Sequence, residues 1–175
     1  MIALDIIASI IGLIAFLALV VPVSFTYEAE IIVNKSKAEV FDYLKHLKNQ
    51  NYWSVWILNA TDMVQEYSGT DGQPGFISAW EGKKAGKGAQ ELLKVADGER
   101  IDTELRFEKP FKANNKGYFI TTTVDATKTK IVWGMSGNSP RPFNIVSVLM
   151  KGRLLKDFNQ GLANAQKNLE KKYAQ

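Results

Sequence analysis

The 175-residue sequence contains no cysteine and a single histidine. The first absence rules out disulfides and every cysteine-based metal site, and it leaves the redox compartment open. The second leaves only carboxylate-rich metal sites, and no D-x-D-x-D-G loop is present. Prolines number only five, and none interrupts the last thirty residues. Residues 1–27 carry no lysine or arginine and one acid, Asp5. Since that stretch holds one of the 18 acids and none of the 22 bases, the remainder carries a charge of +5. So mild a basic balance suits a neighbour of anionic lipid but not a nucleic-acid-binding surface.

What is present falls into two parts. Ile2 to Val23 is an apolar run broken only by Asp5, Ser9 and Gly12. As a helix it would extend roughly 33 Å at about 1.5 Å per residue, enough to cross a hydrocarbon core of about 30 Å. A secretory signal would show basic residues ahead of a shorter apolar stretch and a small-residue cleavage site, and none is found. A buried core helix would be shorter and more amphipathic. The expectation is a single-pass transmembrane helix over residues 2–23, followed by one domain over 25–173. Lys35 and Lys37 lie just beyond the helix, which puts that domain on the cytoplasmic side by the positive-inside rule.

Beyond the apolar run, Phe25 to Val33 reads as a strand. Ser36 and Glu39 form an S-x-x-E capping box, and Val40, Phe41, Leu44 and Leu47 then share one helical face. From about Thr61 to Gly137 the pattern is strands and turns. Thr70–Gly75 reads as a turn, Gly82–Gly88 as a hairpin and Asp97-Gly98 as a tight turn. In Arg100–Glu108, Ile101, Thr103, Leu105 and Phe107 alternate with charged residues, the mark of an antiparallel strand with one wet face. Pro140-Arg141-Pro142 ends the sheet. A long helix, Phe143 to Tyr173, follows. Met150, Leu154, Phe158, Leu162, Ala165 and Leu169 form its apolar stripe, while Arg153, Lys156, Lys167 and Lys171 lie opposite.

This order, with Val40-Phe41-Asp42-Tyr43-Leu44 ahead of Trp53 and Trp56, resembles the START-like (SRPBCC, helix-grip) superfamily. Within it the likeness is to the polyketide cyclase/dehydrase and lipid-transport group. Gly75 before Trp80, Gly86-Lys87-Gly88-Ala89-Gln90-Glu91, Phe107-Glu108-Lys109-Pro110-Phe111, Thr129 through Trp133, and Gly161-Leu162 carry it further. The resemblance implies an α+β fold in which a curved antiparallel sheet wraps a long C-terminal helix, with an apolar cavity between them. It also implies a hydrophobic small molecule or lipid as ligand, without a cofactor. No cyclase residue carries over to this sequence.

Other chemistry is weak. His46 lies off the apolar face of its helix, as a solvated histidine would. Gly134-Met135-Ser136-Gly137 fails the G-x-S-x-G spacing of a nucleophile elbow. Gly82 to Gly88 fails the phosphate-loop spacing and lacks its hydroxyl, so a glycine-rich hairpin tip is the simpler reading. Its lysines Lys83, Lys84 and Lys87 are candidates for contact with lipid phosphates, together with Arg153 and Lys156 of the last helix. The aromatic residues either fill the core or line a pocket. By strand and helix phase, guided by the family architecture, the cavity residues are expected to be Trp53, Trp80, Thr103, Leu105, Phe107, Tyr118, Trp133, Leu154, Phe158 and Leu162. The functional expectation is a membrane-anchored binding protein for a hydrophobic molecule or lipid. A cyclase-type enzyme using cavity acid and base groups, and a protein-interaction module with no identified partner, are the alternatives.

Overall fold

A computed structural model describes residues 2–171. Residues 172 and 173 of the expected last helix lie outside the described residues. The first helix, α1, covers Ile2–Val20. It stops three residues short of the expected Val23 because the residue before a proline is driven out of the α region, and here that proline is Pro22. The 19-residue helix is long and apolar enough to cross a membrane. Only Ala18 is buried, so α1 is not a core helix of the rest of the chain.

Strand β1 (Ser24–Val33) follows, then α2 (Lys37–Lys45), a short 3-10 turn (Leu47–Tyr52) and α3 (Val55–Leu58). Ser36 caps α2 with the expected box: its hydroxyl accepts from the Glu39 amide, and the Glu39 carboxylate accepts from the Ser36 amide. Val40, Phe41, Leu44 and Leu47 are all buried, as their spacing predicts. The strands β2 (Val64–Ser68), β3 (Ile77–Gly82), β4 (Gly86–Ala96), β5 (Arg100–Lys109), β6 (Ala113–Asp125) and β7 (Lys128–Asn138) complete the sheet. Helix α4 (Asn144–Lys171) ends the described chain.

All seven strands pair antiparallel in the order β1-β7-β6-β5-β4-β3-β2. The curved sheet and the long C-terminal helix make this the helix-grip fold. Glycines serve the turns: Gly86 and Gly98 both have φ of +71°, where a side chain would be strained. The alternation expected in β5 holds, with Ile101 and Thr103 buried on the concave face. Its charged residues pair on the convex face, Arg106 with Glu91 and Glu104, and Arg100 with Asp102.

The core lies between the concave face and one side of α4. Phe158, Leu162, Ala165 and Leu169 are buried there and Leu154 is half-buried. Met150, expected on the same stripe, is exposed, because the stripe runs past the area that the sheet covers. Antiparallel pairing also gives the sheet two distinct ends. β1 starts beside α1, so the β3–β4 and β5–β6 turns and the start of α4 share this near end. The β2–β3, β4–β5 and β6–β7 turns lie at the far end.

Candidate functional site

A pocket of about 470 Å³ opens between the near half of the concave face and the helices above it. Ser78, Gln90 and Leu105 stand side by side across β3, β4 and β5, and Gln65, Trp80 and Phe107 form the next row. Trp80 and Phe107 meet edge to face, 5.8 Å between ring centres. Gly88 lies between these two strands' aromatics for a steric reason. A Cβ there would come within 2.6 Å of the Trp80 ring and 2.5 Å of the Arg106 carbonyl.

The inner wall is an aromatic cluster around Trp133. Its ring stacks on Phe158 at 4.5 Å and on Phe119 at 5.5 Å, and it meets Trp53 and Trp56 edge-on at 5.0 and 5.5 Å. Gly161 lets α4 approach this cluster, since a Cβ would come within 2.8 Å of the Trp133 ring. The roof is α3 with the end of the 3-10 turn. Two asparagines of α4 hold it: Asn164 donates to the Trp53 carbonyl at 3.1 Å and Asn168 to the Tyr52 carbonyl at 2.9 Å.

The polar groups of the pocket are mainly neutral. Gln50, Ser54, Gln65, Ser78 and Gln90 line it, with Gln90 donating to the Thr103 hydroxyl at 3.3 Å. Charge is limited to Lys84 from the β3–β4 turn and to Arg153 and Asp157 from α4. Lys84 and Arg153 are exposed, so they sit at the rim. No second carboxylate, histidine or tyrosine lines the pocket among the described residues. Nor do three His, Asp or Glu side chains gather anywhere among them in a way that would hold a metal ion.

Of the ten residues expected in the cavity, Trp80, Leu105, Phe107, Trp133, Leu154 and Phe158 line this pocket. Trp53, Thr103 and Leu162 do not; each is 1 % exposed and packed in the core behind it. Tyr118 is a correction of a different kind. Pairing with Asp102 and Gly134 puts it on the convex face, where it donates to Glu28 at 2.5 Å beneath the Arg100 guanidinium. Burial, reinforced by the Glu28 bond, pushes its hydroxyl up to about 12, which suits a structural proton rather than a transferable one.

The expected membrane-facing bases also divide. Lys84 and Arg153 stand at the pocket rim, Lys83 is exposed on the same turn, and Lys156 is exposed on α4. Lys87 pairs with Glu81 at 3.2 Å, and that carboxylate holds its ammonium above the usual lysine range. His46 caps the end of α2, partly exposed, with Nδ1 at 3.5 Å from Asp71. The neutral pocket residues were not anticipated. The phase of β3 and β4 carries a signal for Ser78 and Gln90, but Gln50 and Ser54 lie on irregular backbone with no period to read.

No family model and no curated protein matches the chain. Solved structures do. Norcoclaurine synthase from Thalictrum flavum, in complex with dopamine and hydroxybenzaldehyde, superposes with a TM-score of 0.65 at 13% identity, covering 91% of this chain and 93% of its own. The shared property is the fold. A protein of Mesorhizobium loti gives 0.63 at 12% identity, over 86% of this chain and 100% of its own. DynU16, from the dynemicin biosynthetic locus, gives 0.59 at 12% identity over 83% of this chain and 47% of its own. Norcoclaurine synthase and DynU16 have a Bet v1/SRPBCC-like fold.

Proposed function

We propose that this chain is a single-pass membrane protein that holds a hydrophobic small molecule or lipid in the pocket, as the lipid-transport group of the START-like superfamily implies. The observation that carries the reading is the pocket's lining. Trp56, Trp80, Phe107, Trp133 and Phe158 supply an apolar body, and the neutral amides and hydroxyls of Gln65, Ser78 and Gln90 supply one hydrogen-bonding wall. A volume of about 470 Å³ lies within the range of small-molecule sites. The lining favours a ligand with a long or aromatic apolar part and an uncharged polar group, because among the described residues its two cations are exposed at the rim and its inner polar groups are neutral apart from the half-buried Asp157.

Two further features support it. Norcoclaurine synthase, on the same fold, holds aromatic ligands in its crystal structure. The α1 helix would keep the pocket within reach of lipid, since only three residues separate it from β1. Lys35 and Lys37 favour the cytoplasmic side. The enzyme reading has less behind it, because acid–base chemistry needs a positioned proton donor and acceptor, and Asp157 is the pocket's one carboxylate.

The test is extraction of the full chain from its membrane in nanodiscs, followed by mass spectrometry of what is retained. Wild type should retain an apolar species that a pocket-filling Leu154→Trp chain loses. Equal retention by both, or retention of bulk lipid alone, overturns the binding reading. Labelling of Thr127→Cys by an impermeant thiol reagent in intact cells reverses the orientation.

A further inference from the structure

The first two turns of α4 are apolar on most sides, yet they are uncovered. Phe143, just before the helix, is 62% exposed, and Val146, Val148 and Leu149 are 51%, 52% and 76% exposed. At about 100° between successive side chains, Val146, Val148 and Leu149 project in separate directions, so no single protein face would cover them. A helix that is apolar all round belongs in a core or in lipid.

The one packed side of these turns is joined to α1. Arg141 donates Nε to the Ala18 carbonyl at 2.7 Å and Nη2 to that of Leu19 at 3.2 Å. Asn144, fully buried, donates Nδ2 to the carbonyls of Ala18 and Val21 at 2.9 and 2.7 Å. Tyr27 adds a bond from its hydroxyl to the Ser147 carbonyl at 2.7 Å. The last carbonyls of a helix lack intrahelical partners, and the guanidinium meets them at the negative end of the helix dipole. The lipid-exposed surface of α1 is thereby continuous with the apolar turns of α4. The same near end carries Phe111, 77% exposed in the β5–β6 turn, and the exposed Lys84 and Lys112.

We infer that this end of the molecule is a second membrane contact: the first two turns of α4 and Phe111 enter the boundary between head groups and acyl chains, with Lys84 and Lys112 on anionic head groups. The inference rests on the anchoring part of the proposed function. It deepens that reading, because Arg153 and Leu154, on the next turns of α4, line the pocket mouth. The mouth then opens at the bilayer surface, and an apolar ligand passes between lipid and pocket without crossing water. Interfacial helices bury their apolar side by about 5–10 Å in this way.

The absence of cysteine makes the test direct, since one substitution gives one labelling site. The full chain carries a fluorophore at Leu149→Cys, Phe111→Cys, Ile11→Cys or Thr127→Cys, in vesicles of phosphatidylcholine with phosphatidylglycerol. Labels at 149 and 111 should be quenched by lipids spin-labelled near the head group and lose quenching by iodide. The label at 127, at the far end of the sheet, should behave in the opposite way. A 149 label open to iodide while the 11 label stays quenched by lipid overturns the second contact and leaves the anchor standing. An 11 label open to iodide overturns both. A 149 label shielded from iodide and lipid alike assigns the face to another copy of the chain and overturns the inference. Removing the clamp with Arg141→Ala and Asn144→Ala should lower lipid quenching at 149 and leave it unchanged at 11.

Discussion

At the far end of the sheet the concave face is packed shut, whereas at the near end it is left open. Val33, Val40, Ile101, Ile131 and Ala165 have no exposure at all in the far half, where α2 and the last turns of α4 both lie over the strands. Trp80, Leu105 and Phe107 in the near half are only half-buried, and the pocket lies over them. The two halves use the same strands and the same helix. They differ in coverage: α4 crosses both, but the far half adds α2, whereas the near half adds only the four-residue α3, next to a turn that Asn164 and Asn168 hold. The packed core and the pocket are therefore separable along one sheet.

The largest effect should come from cutting into the closed half. Ile131→Ala is expected to cost about 2–5 kcal/mol in denaturant unfolding, since the dense surroundings cannot collapse onto the space. Trp80→Ala removes a larger side chain from the open half, yet it should cost less stability; on the proposed function it should also reduce retention of an apolar ligand. If the two substitutions cost the same, the division between halves fails.

Gly161→Ala probes the seam between them. Alanine ordinarily stabilises a helix interior by up to about 1 kcal/mol over glycine. Here the new methyl would meet a Trp133 ring held by four other aromatic rings. A net loss of about 1–3 kcal/mol is expected from overpacking, with a change in tryptophan fluorescence. A gain in stability would mean that α4 rides further from the sheet than described.

The smallest effect belongs to the convex face, outside both halves. The Tyr118 hydroxyl titrates higher in the folded state than the ordinary tyrosine value of 10.0. Its contribution is therefore complete below pH 10 and is lost as pH rises towards about 12. Tyr118→Phe should cost about 0.5–1.5 kcal/mol at neutral pH through the lost Glu28 bond, and should flatten the decline of melting temperature between pH 10 and 12. An unchanged alkaline decline would place its origin elsewhere.

The fold was legible in the sequence where period and punctuation agreed. The capping box at Ser36, the alternation through Ile101 and Phe107, and the glycine turns at 86 and 98 each specify local backbone, and the structure has them all. The site was legible only where a regular element set the phase. Trp80, Leu105 and Phe107 follow from strand alternation. Tyr118 was misread because β6 has apolar or hydroxyl residues on both faces, as at Phe119 and Ile120, so its pattern does not say which face is wet. Gln50 and Ser54 were missed because a 3-10 turn and a loop have no period. Met150 was misjudged since helical phase fixes direction but not how far the covering sheet extends.

Arg141 and Asn144 also impose an order of events on the chain. The carbonyls that they satisfy belong to residues 18 to 21, made more than 120 positions earlier. Until the seventh strand is complete and α4 begins, the end of α1 must be solvated by water or head groups. The first helix to be synthesised thus has its last carbonyls satisfied only by residues that follow the seventh strand.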